Sequence, residues 1–145
     1  MQTKNLRAAL QKGFTLIELL VVIGILGILM AVVIVAVNPS RQFAQARDTQ
    51  RKADLSAITS AIVQYSVDHN GNYPTTGTPA TPVITTTPTD VAGLATFLVP
   101  DYIAAVPTDP TPGQPVYRVH LDANNRLVAT AASEQNPGEV ISITR

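Results

Sequence analysis

Hydrophobic and polar residues are distributed very unevenly along the chain. A short polar, basic stretch (residues 1–13) is followed by residues 14–37, which are almost entirely apolar. Within this second segment, Leu19 to Val37 is a run of 19 residues without a charged or strongly polar side chain. As a helix, residues 14–37 would be about 36 Å long, enough to cross the hydrocarbon core of a bilayer. The pattern therefore predicts one transmembrane helix.

The charges on either side of this segment predict its orientation. Residues 1–13 contain three basic residues and no acidic one, which favours a cytoplasmic N-terminus. From Asp54 onward the chain has eight acidic residues against three arginines. We therefore expect a single-pass protein of the cytoplasmic membrane whose acidic C-terminal part is exported. Direct binding of nucleic acid is not expected, because such a surface would be basic.

Residues 38–69 are predicted to continue the helix as an amphipathic segment. Pro39 predicts a kink, because proline donates no backbone hydrogen bond and crowds the preceding turn. Asp48 and Lys52 have the i, i+4 spacing of a helical ion pair. Apolar residues also recur at helical spacing, and we expect this stripe to pack against the exported domain. The stripe consists of Leu55, Ile58, Ile62 and Tyr65.

Residues 70–145 are predicted to form the exported globular head. Residues 75–89 are rich in Thr and Pro and are predicted to be a solvated surface loop without apolar residues to pack. Asp90 is a candidate N-cap for a short helix over residues 91–98. Three strand-like runs follow, at residues 116–121, 126–132 and 140–144, separated by turn residues. The predicted fold is α+β: a long N-terminal helix packed on a small three-stranded antiparallel sheet.

The composition excludes several kinds of chemistry. The chain has no cysteine, and its two histidines, His69 and His120, are interpreted as surface polar residues. It contains no phosphate loop and no hydrolase motif. We therefore expect neither an enzyme nor a resident cofactor.

Glu18 is the unusual residue of the apolar segment. A carboxylate at this depth in a membrane is costly unless it has a partner. Cleavage between Gly13 and Phe14 would create one, because the new α-amino group on Phe14 is a cation at neutral pH. Between two copies offset along their axes, Glu18 of one copy would face the Phe14 amine of the next. Glu18 is then predicted to fix the register of assembly.

The residues from Lys12 to Val22, Lys-Gly-Phe-Thr-Leu-Ile-Glu-Leu-Leu-Val-Val, closely resemble the N-terminal signal of type IV pilins and type II secretion pseudopilins. The resemblance covers about the first 55 residues. It implies that a membrane-embedded prepilin peptidase cleaves after Gly13 and that the new N-terminus at Phe14 is methylated. It also implies a pilin-like fold.

The resemblance further implies partners and a location. The implied partners are an inner-membrane assembly platform, membrane lipid before assembly, and copies of the chain itself in an extracytoplasmic filament. This filament would be a cell-surface pilus or a periplasmic pseudopilus. Major pseudopilins bind calcium in the loops near the last strands, which makes Asp109 and Asp122 candidate ligands. The alternative for both residues is an ordinary role in turns.

Two other functions remain open at this stage. One is a monomeric, membrane-anchored binding module on the extracytoplasmic side, in which the N-terminal segment is only a tether. The other is a DNA-uptake or adhesion pilin, in which the filament itself binds a ligand. The N-terminus separates the first alternative from a filament subunit, because a tether predicts an uncleaved Met1 or a tolerant Glu18.

Overall fold

The structure, a computed structural model, describes residues 13–76, 81–113 and 116–145. The predicted leader therefore lies almost entirely outside the described residues. The chain divides into two compact units, residues 1–39 and 40–145.

The described part of the first unit is dominated by one helix, α1 (Leu16–Val37). None of its 22 residues is buried. Because apolar side chains surround the axis on all sides, α1 has no polar face to present to water. The predicted apolar helix is thus present, and it is the helix of the described chain that is long and apolar enough to span a membrane.

Pro39 interrupts the helical segment more completely than we predicted. Helix α1 ends at Val37, and Asn38 has a left-handed backbone with φ of 45°. A second helix, α2, begins at Pro39 and ends at Asp68. Proline is well suited to a first helical position, where its missing N–H group has no partner to lose. The structure therefore has two helices, and not one helix with a kink.

Helix α2 ends at the predicted turn. Asn70 and Gly71 both have positive φ, at 54° and 85°. The amide of Gly71 donates to the carbonyl of Ser66 over 2.8 Å, which closes the last turn of the helix.

The second unit contains a four-stranded antiparallel sheet, and not the predicted three strands. Its order is β3 (Thr89–Asp90), β4 (Arg118–Leu121), β5 (Leu127–Ala132) and β6 (Val140–Thr144). The strand missed from the sequence, β3, pairs Thr89 with Val119 and Asp90 with Arg118. Two residues show no alternating pattern, so only the main-chain pairing with β4 makes this segment a strand.

The Thr-rich segment also differs from the predicted loop. It contains β1 (Thr75–Thr76) and β2 (Thr81–Pro82), which pair with each other, and it ends in β3. Ile84 in this segment is fully buried in the core. The expectation that nothing here packs was wrong. Asp90 does cap the next turn, where a 3₁₀ helix (Val91–Leu94) precedes α3 (Ala95–Leu98).

The core of the second unit lies between α2, the short helices and the sheet. Three of the four stripe residues, Leu55, Ile58 and Ile62, are buried, and Tyr65 is partly buried against them. From the sheet, β5 contributes its alternate residues Leu127, Ala129 and Ala131. The predicted α+β architecture, with a helix packed on a small antiparallel sheet, is confirmed.

Candidate functional site

The segment that carries the predicted cleavage site is exposed and lies outside the helix. Residues 13–15 precede α1 and have no regular secondary structure. The side chain of Phe14 is 91% exposed, and Gly13 is exposed as well. The peptide bond between these two residues is therefore accessible. Cleavage at this bond would require such access.

The fold does not itself require glycine at position 13. A Cβ atom added to Gly13 would meet no other atom within 4 Å, and its backbone is not left-handed. Gly24 and Gly27, both inside α1, have equally open surroundings. Glycine destabilises a helix, and packing within this chain does not explain the presence of Gly24 and Gly27.

Thr15 and Glu18 form a capping box at the start of α1. The Thr15 hydroxyl oxygen accepts a hydrogen bond from the backbone amide of Glu18 over 3.2 Å. In return, one oxygen of Glu18, Oε2, accepts from the Thr15 amide at 3.0 Å and from its hydroxyl at 2.9 Å. A carboxylate is favourable in the first turn of a helix, where backbone amides lack partners.

This arrangement gives Glu18 a partner within its own chain that we did not predict. The spacing Thr-x-x-Glu is the sequence pattern of a capping box, so it could have been found. The box uses Oε2, and within the described part of the chain Oε1 accepts no hydrogen bond. The predicted pairing of Glu18 with the Phe14 amine of another copy stays a prediction.

A second group of polar residues lies in the second unit and is centred on Arg51. This side chain is on α2, and only 1% of it is exposed. Its guanidinium donates to both oxygens of Asp109, through Nε at 2.7 Å and Nη2 at 2.8 Å. Its Nη1 donates to Asp48, one turn earlier on α2, over 2.6 Å. The predicted ion pair of Asp48 with Lys52 was wrong, because Arg51 takes that carboxylate.

Asp48 also holds the loop between β5 and β6. It accepts from the hydroxyl of Ser133 at 2.6 Å and from the amides of Glu134 and Gln135 at 2.9 and 3.0 Å. The carboxylate of Glu134 in turn accepts from Nε of Arg47 at 2.7 Å. We call Arg47, Asp48, Arg51, Asp109 and Glu134 the arginine cluster.

The surroundings of the cluster change the pKa values of its carboxylates. The hydrogen bonds from Arg51 lower the pKa of Asp109, although burial opposes this. Burial is the largest single influence on Asp48 and favours its neutral form, but the combined hydrogen bonds outweigh it and hold its pKa far below the usual range. The hydrogen bond from Arg47 lowers the pKa of Glu134 to about 2. All three are therefore ionised at neutral pH.

The two candidate calcium ligands are each held by an arginine. Asp109 belongs to the arginine cluster. Asp122 closes the turn between β4 and β5: it accepts from the amides of Asn124 and Arg126 at 2.9 and 2.8 Å and pairs with the Arg126 side chain at 2.7 Å. Residues 13–76, 81–113 and 116–145 contain no group of three acidic or histidine side chains arranged to hold a metal ion. Both carboxylates are thus engaged by arginine side chains, and their role as calcium ligands stays a prediction.

The two histidines lie in different parts of the second unit. His69 follows α2 and stacks on Tyr65 with ring centroids 3.9 Å apart. His120 lies in β4 and is partly buried.

Comparisons with known proteins identify relatives that share the N-terminal segment of this chain. The family described as "Prokaryotic N-terminal methylation motif" matches residues 9–34. The chain is 47% identical over 66 residues to type II secretion system core protein G of Pseudomonas aeruginosa, covering 46% of this chain and 44% of that protein. It is 42% identical over 86 residues to the type IV major pilin protein PilE1 of Neisseria gonorrhoeae, covering 58% and 48%. The chain thus spans just under half of each of these two relatives.

A third relative is matched over most of its length. Type II secretion system core protein G of Klebsiella michiganensis is 36% identical over 110 residues, covering 74% of this chain and 73% of the relative. No solved structure is significantly similar to the chain. These matches confirm the resemblance inferred from residues 12–22, and the chain belongs to the family of type IV pilins and type II secretion pseudopilins.

Proposed function

We propose that this chain is a prepilin-type structural subunit, and not an enzyme, that is cleaved after Gly13, methylated on Phe14 and assembled into an extracytoplasmic filament. A prepilin peptidase of the membrane would remove the basic leader. The mature α1 helices of many copies would then pack together, because each has an apolar surface that its own unit leaves uncovered.

The observation that carries this proposal is the complete exposure of α1. All 22 residues of the helix are unburied, and they are apolar on every side apart from Glu18 at its start. Such a surface needs an apolar environment. Membrane lipid would supply this environment before assembly, and other α1 helices would supply it in the filament. Gly24 and Gly27 would let two helix backbones approach closely.

Glu18 would fix the stagger between neighbouring copies. The capping box holds its carboxylate against Thr15, one residue after the position where cleavage would produce a positively charged amine. One oxygen serves the box and the other is directed to no hydrogen-bond donor among the described residues. Glu18 could therefore keep its own cap while accepting the Phe14 amine of the next copy. This pairing would favour a single register, since only one stagger satisfies both charges.

Two substitutions separate the charge of Glu18 from its capping role. Glu18→Gln keeps an oxygen acceptor for the box but removes the charge, whereas Thr15→Val removes the hydroxyl that caps the Glu18 amide and keeps the charge. We expect Glu18→Gln to insert into the membrane, to be cleaved, and to lose most filaments. Thr15→Val is the matched control and is expected to retain filaments. Filament yield is measured by electron microscopy of both the sheared surface fraction and the periplasmic fraction of cells expressing each variant.

Intact-mass and N-terminal analysis of the wild-type protein from its native membrane accompanies this test. A chain that begins at Phe14 and carries one extra methyl group is the expected result. Normal filaments from Glu18→Gln would refute the register role of the charge. An uncleaved Met1 in a host with an active prepilin peptidase would favour the monomeric anchored module instead.

Of the two kinds of relative, the type II secretion pseudopilins favour a secretion filament over a pilus, because one of them aligns with more of this chain. The alignment with the Klebsiella core protein G extends over 110 residues and so includes much of the head, whereas the alignment with the Neisseria pilin covers 86 residues. We propose that this filament serves secretion. Deleting the gene in its host is then expected to abolish export of secreted enzymes while leaving surface pili intact.

A further inference from the structure

We propose that the guanidinium of Arg51, and not a bound calcium ion, fastens the loops beside the C-terminal strands to α2, so that the head is stable without any divalent cation. The inference concerns the exported unit alone and goes beyond the filament role. It does not depend on whether the chain assembles.

The first of these loops runs from α3 to β4. The guanidinium of Arg51 donates two hydrogen bonds, of 2.7 and 2.8 Å, to Asp109, one to each carboxylate oxygen. Thr111 adds to the same contact, since its hydroxyl accepts from Nη2 of Arg51 at 3.1 Å and its amide donates to Asp109 at 2.8 Å. Paired, charge-assisted hydrogen bonds of this kind are strong and directional. This loop is therefore anchored to α2 through a single side chain.

The second loop, between β5 and β6, is anchored from the same place. Arg51 is 3.4 Å from the carboxylate of Glu134, and Arg47, which is more exposed than Arg51, donates to the same carboxylate. Thr111 from the first loop donates its hydroxyl proton to the same carboxylate at 3.0 Å. Two loops that are distant in sequence thus meet at one buried positive charge.

A divalent cation would compete with Arg51 for the same oxygens. Calcium takes six to eight oxygen ligands at about 2.3–2.6 Å, with carboxylates supplying most of the charge. Both oxygens of Asp109 already face a full positive charge. A calcium ion on this carboxylate would lie next to the guanidinium and be repelled by it. Asp122 offers no second site, because its two oxygens are engaged by Arg126 and by the amides of the turn.

The cluster carries one more negative than positive charge, and neutral hydrogen-bond donors stabilise this excess. Two arginines face three carboxylates, and the most buried carboxylate, Asp48, has additional neutral donors from Ser133, Glu134 and Gln135. A buried ion pair is stable only when its remaining hydrogen-bonding capacity is also satisfied. This condition is met here, so removing Arg51 would leave buried negative charges without a counter-ion.

The test measures urea unfolding of the full, processed chain in detergent, followed by tyrosine fluorescence. All four tyrosines lie between residues 65 and 117, in the second unit, so the signal reports on the head. For the wild type we expect the same unfolding midpoint in EDTA and in millimolar calcium, and no heat when calcium is titrated in a calorimeter. A midpoint that falls in EDTA and recovers with calcium would overturn the proposal.

Variants of Arg51 supply the second half of the test. Arg51→Met is expected to reduce the ratio of folded to unfolded protein at least about 100-fold, as breaking a buried ion pair usually does. Arg51→Lys should lose less, because an ammonium keeps the charge but not the paired hydrogen bonds. The control is Arg126→Met, which removes an ion-paired arginine side chain that is 58% exposed and should change the ratio less than about fivefold. Equal losses in Arg51→Met and Arg126→Met would contradict the proposal. Should Arg51→Met fail to fold, Arg51→Lys and the calcium measurements on the wild type still decide.

Discussion

Replacing Ile62 by alanine tests whether α2 is held on the sheet by its apolar stripe. Ile62 is 0% exposed and lies in the core formed with the sheet. The substitution removes three carbon atoms, and each buried carbon contributes about 0.8 kcal/mol. The cavity that remains adds to this loss, so the total is expected to be about 3–4 kcal/mol. Alanine is the better helix former by roughly 0.4 kcal/mol, which leaves a net loss of about 3 kcal/mol.

The matched control is Val67→Ala on the same helix. Val67 is 68% exposed, so truncating it removes little packing while giving a similar gain in helix propensity. We expect the free energy of unfolding of Val67→Ala to lie within about 0.5 kcal/mol of the wild type.

Urea unfolding of the full chain in detergent, read by tyrosine fluorescence, measures both variants. With a slope of about 2 kcal/mol per molar urea, the midpoint of Ile62→Ala should fall by about 1.5 M. The slope itself should not change, because the surface exposed on unfolding is nearly the same. A loss below about 1 kcal/mol, or one equal to that of Val67→Ala, would show that the stripe does not hold α2 on the sheet.

Two further predictions concern buried polar groups of the head. The Tyr117 hydroxyl donates to the Asp54 carboxylate over 2.7 Å in a buried contact. Tyr117→Phe should therefore lower the free energy of unfolding by about 1.5–3 kcal/mol. The control is Tyr73→Phe, at a partly exposed tyrosine, which should be nearly neutral. Equal costs for the two tyrosines would contradict this. Because the folded-state pKa values of Asp48, Asp109 and Glu134 are all lowered, to about 2 for Glu134, their stabilisation is present above about pH 4.5 and is lost as the pH falls toward 2. The urea midpoint should therefore be level from pH 7 to about 5 and then drop, and Arg51→Met should show a smaller drop; a midpoint that stays level down to pH 3 would refute the assignment.

The elements that could be predicted from the sequence are those with a local signal. The apolar run over residues 14–37 predicts α1 by composition alone, and β6 (Val140–Thr144) begins and ends where its run of strand-forming residues does. The three-stranded prediction failed at β3, because that strand exists only through hydrogen bonds to β4. Ile84 was overlooked for a related reason: a single apolar residue among threonines has no periodicity, and its burial depends on what the rest of the chain places over it.

The arginine cluster could not be predicted, because its partners are far apart in sequence. Arg51 and Asp109 are separated by 58 residues, and Asp48 and Gln135 by 87. Local spacing favoured Asp48 with Lys52 as an exposed helical pair, which contributes only about 0.3–0.5 kcal/mol. The hydrogen bonds that Asp48 accepts from the distant loop between β5 and β6 are together stronger than this helical ion pair would be. In contrast, the capping box at Thr15 and Glu18 has a purely local signal and could have been predicted.

Each unit departs from the usual pattern in which apolar residues are buried and charged residues are exposed. The two departures differ, and the first concerns assembly whereas the second concerns stability. Helix α1 exposes a full set of apolar residues, and nothing within its own unit covers them. Helix α2 buries a charged arginine and two aspartates, and each of these has partners inside the head. The exposed apolar surface needs an apolar environment that its own unit does not supply, whereas the buried charges have their partners within the head. Substitutions in α1 should therefore affect insertion and assembly, and substitutions in the arginine cluster should affect the stability of the head.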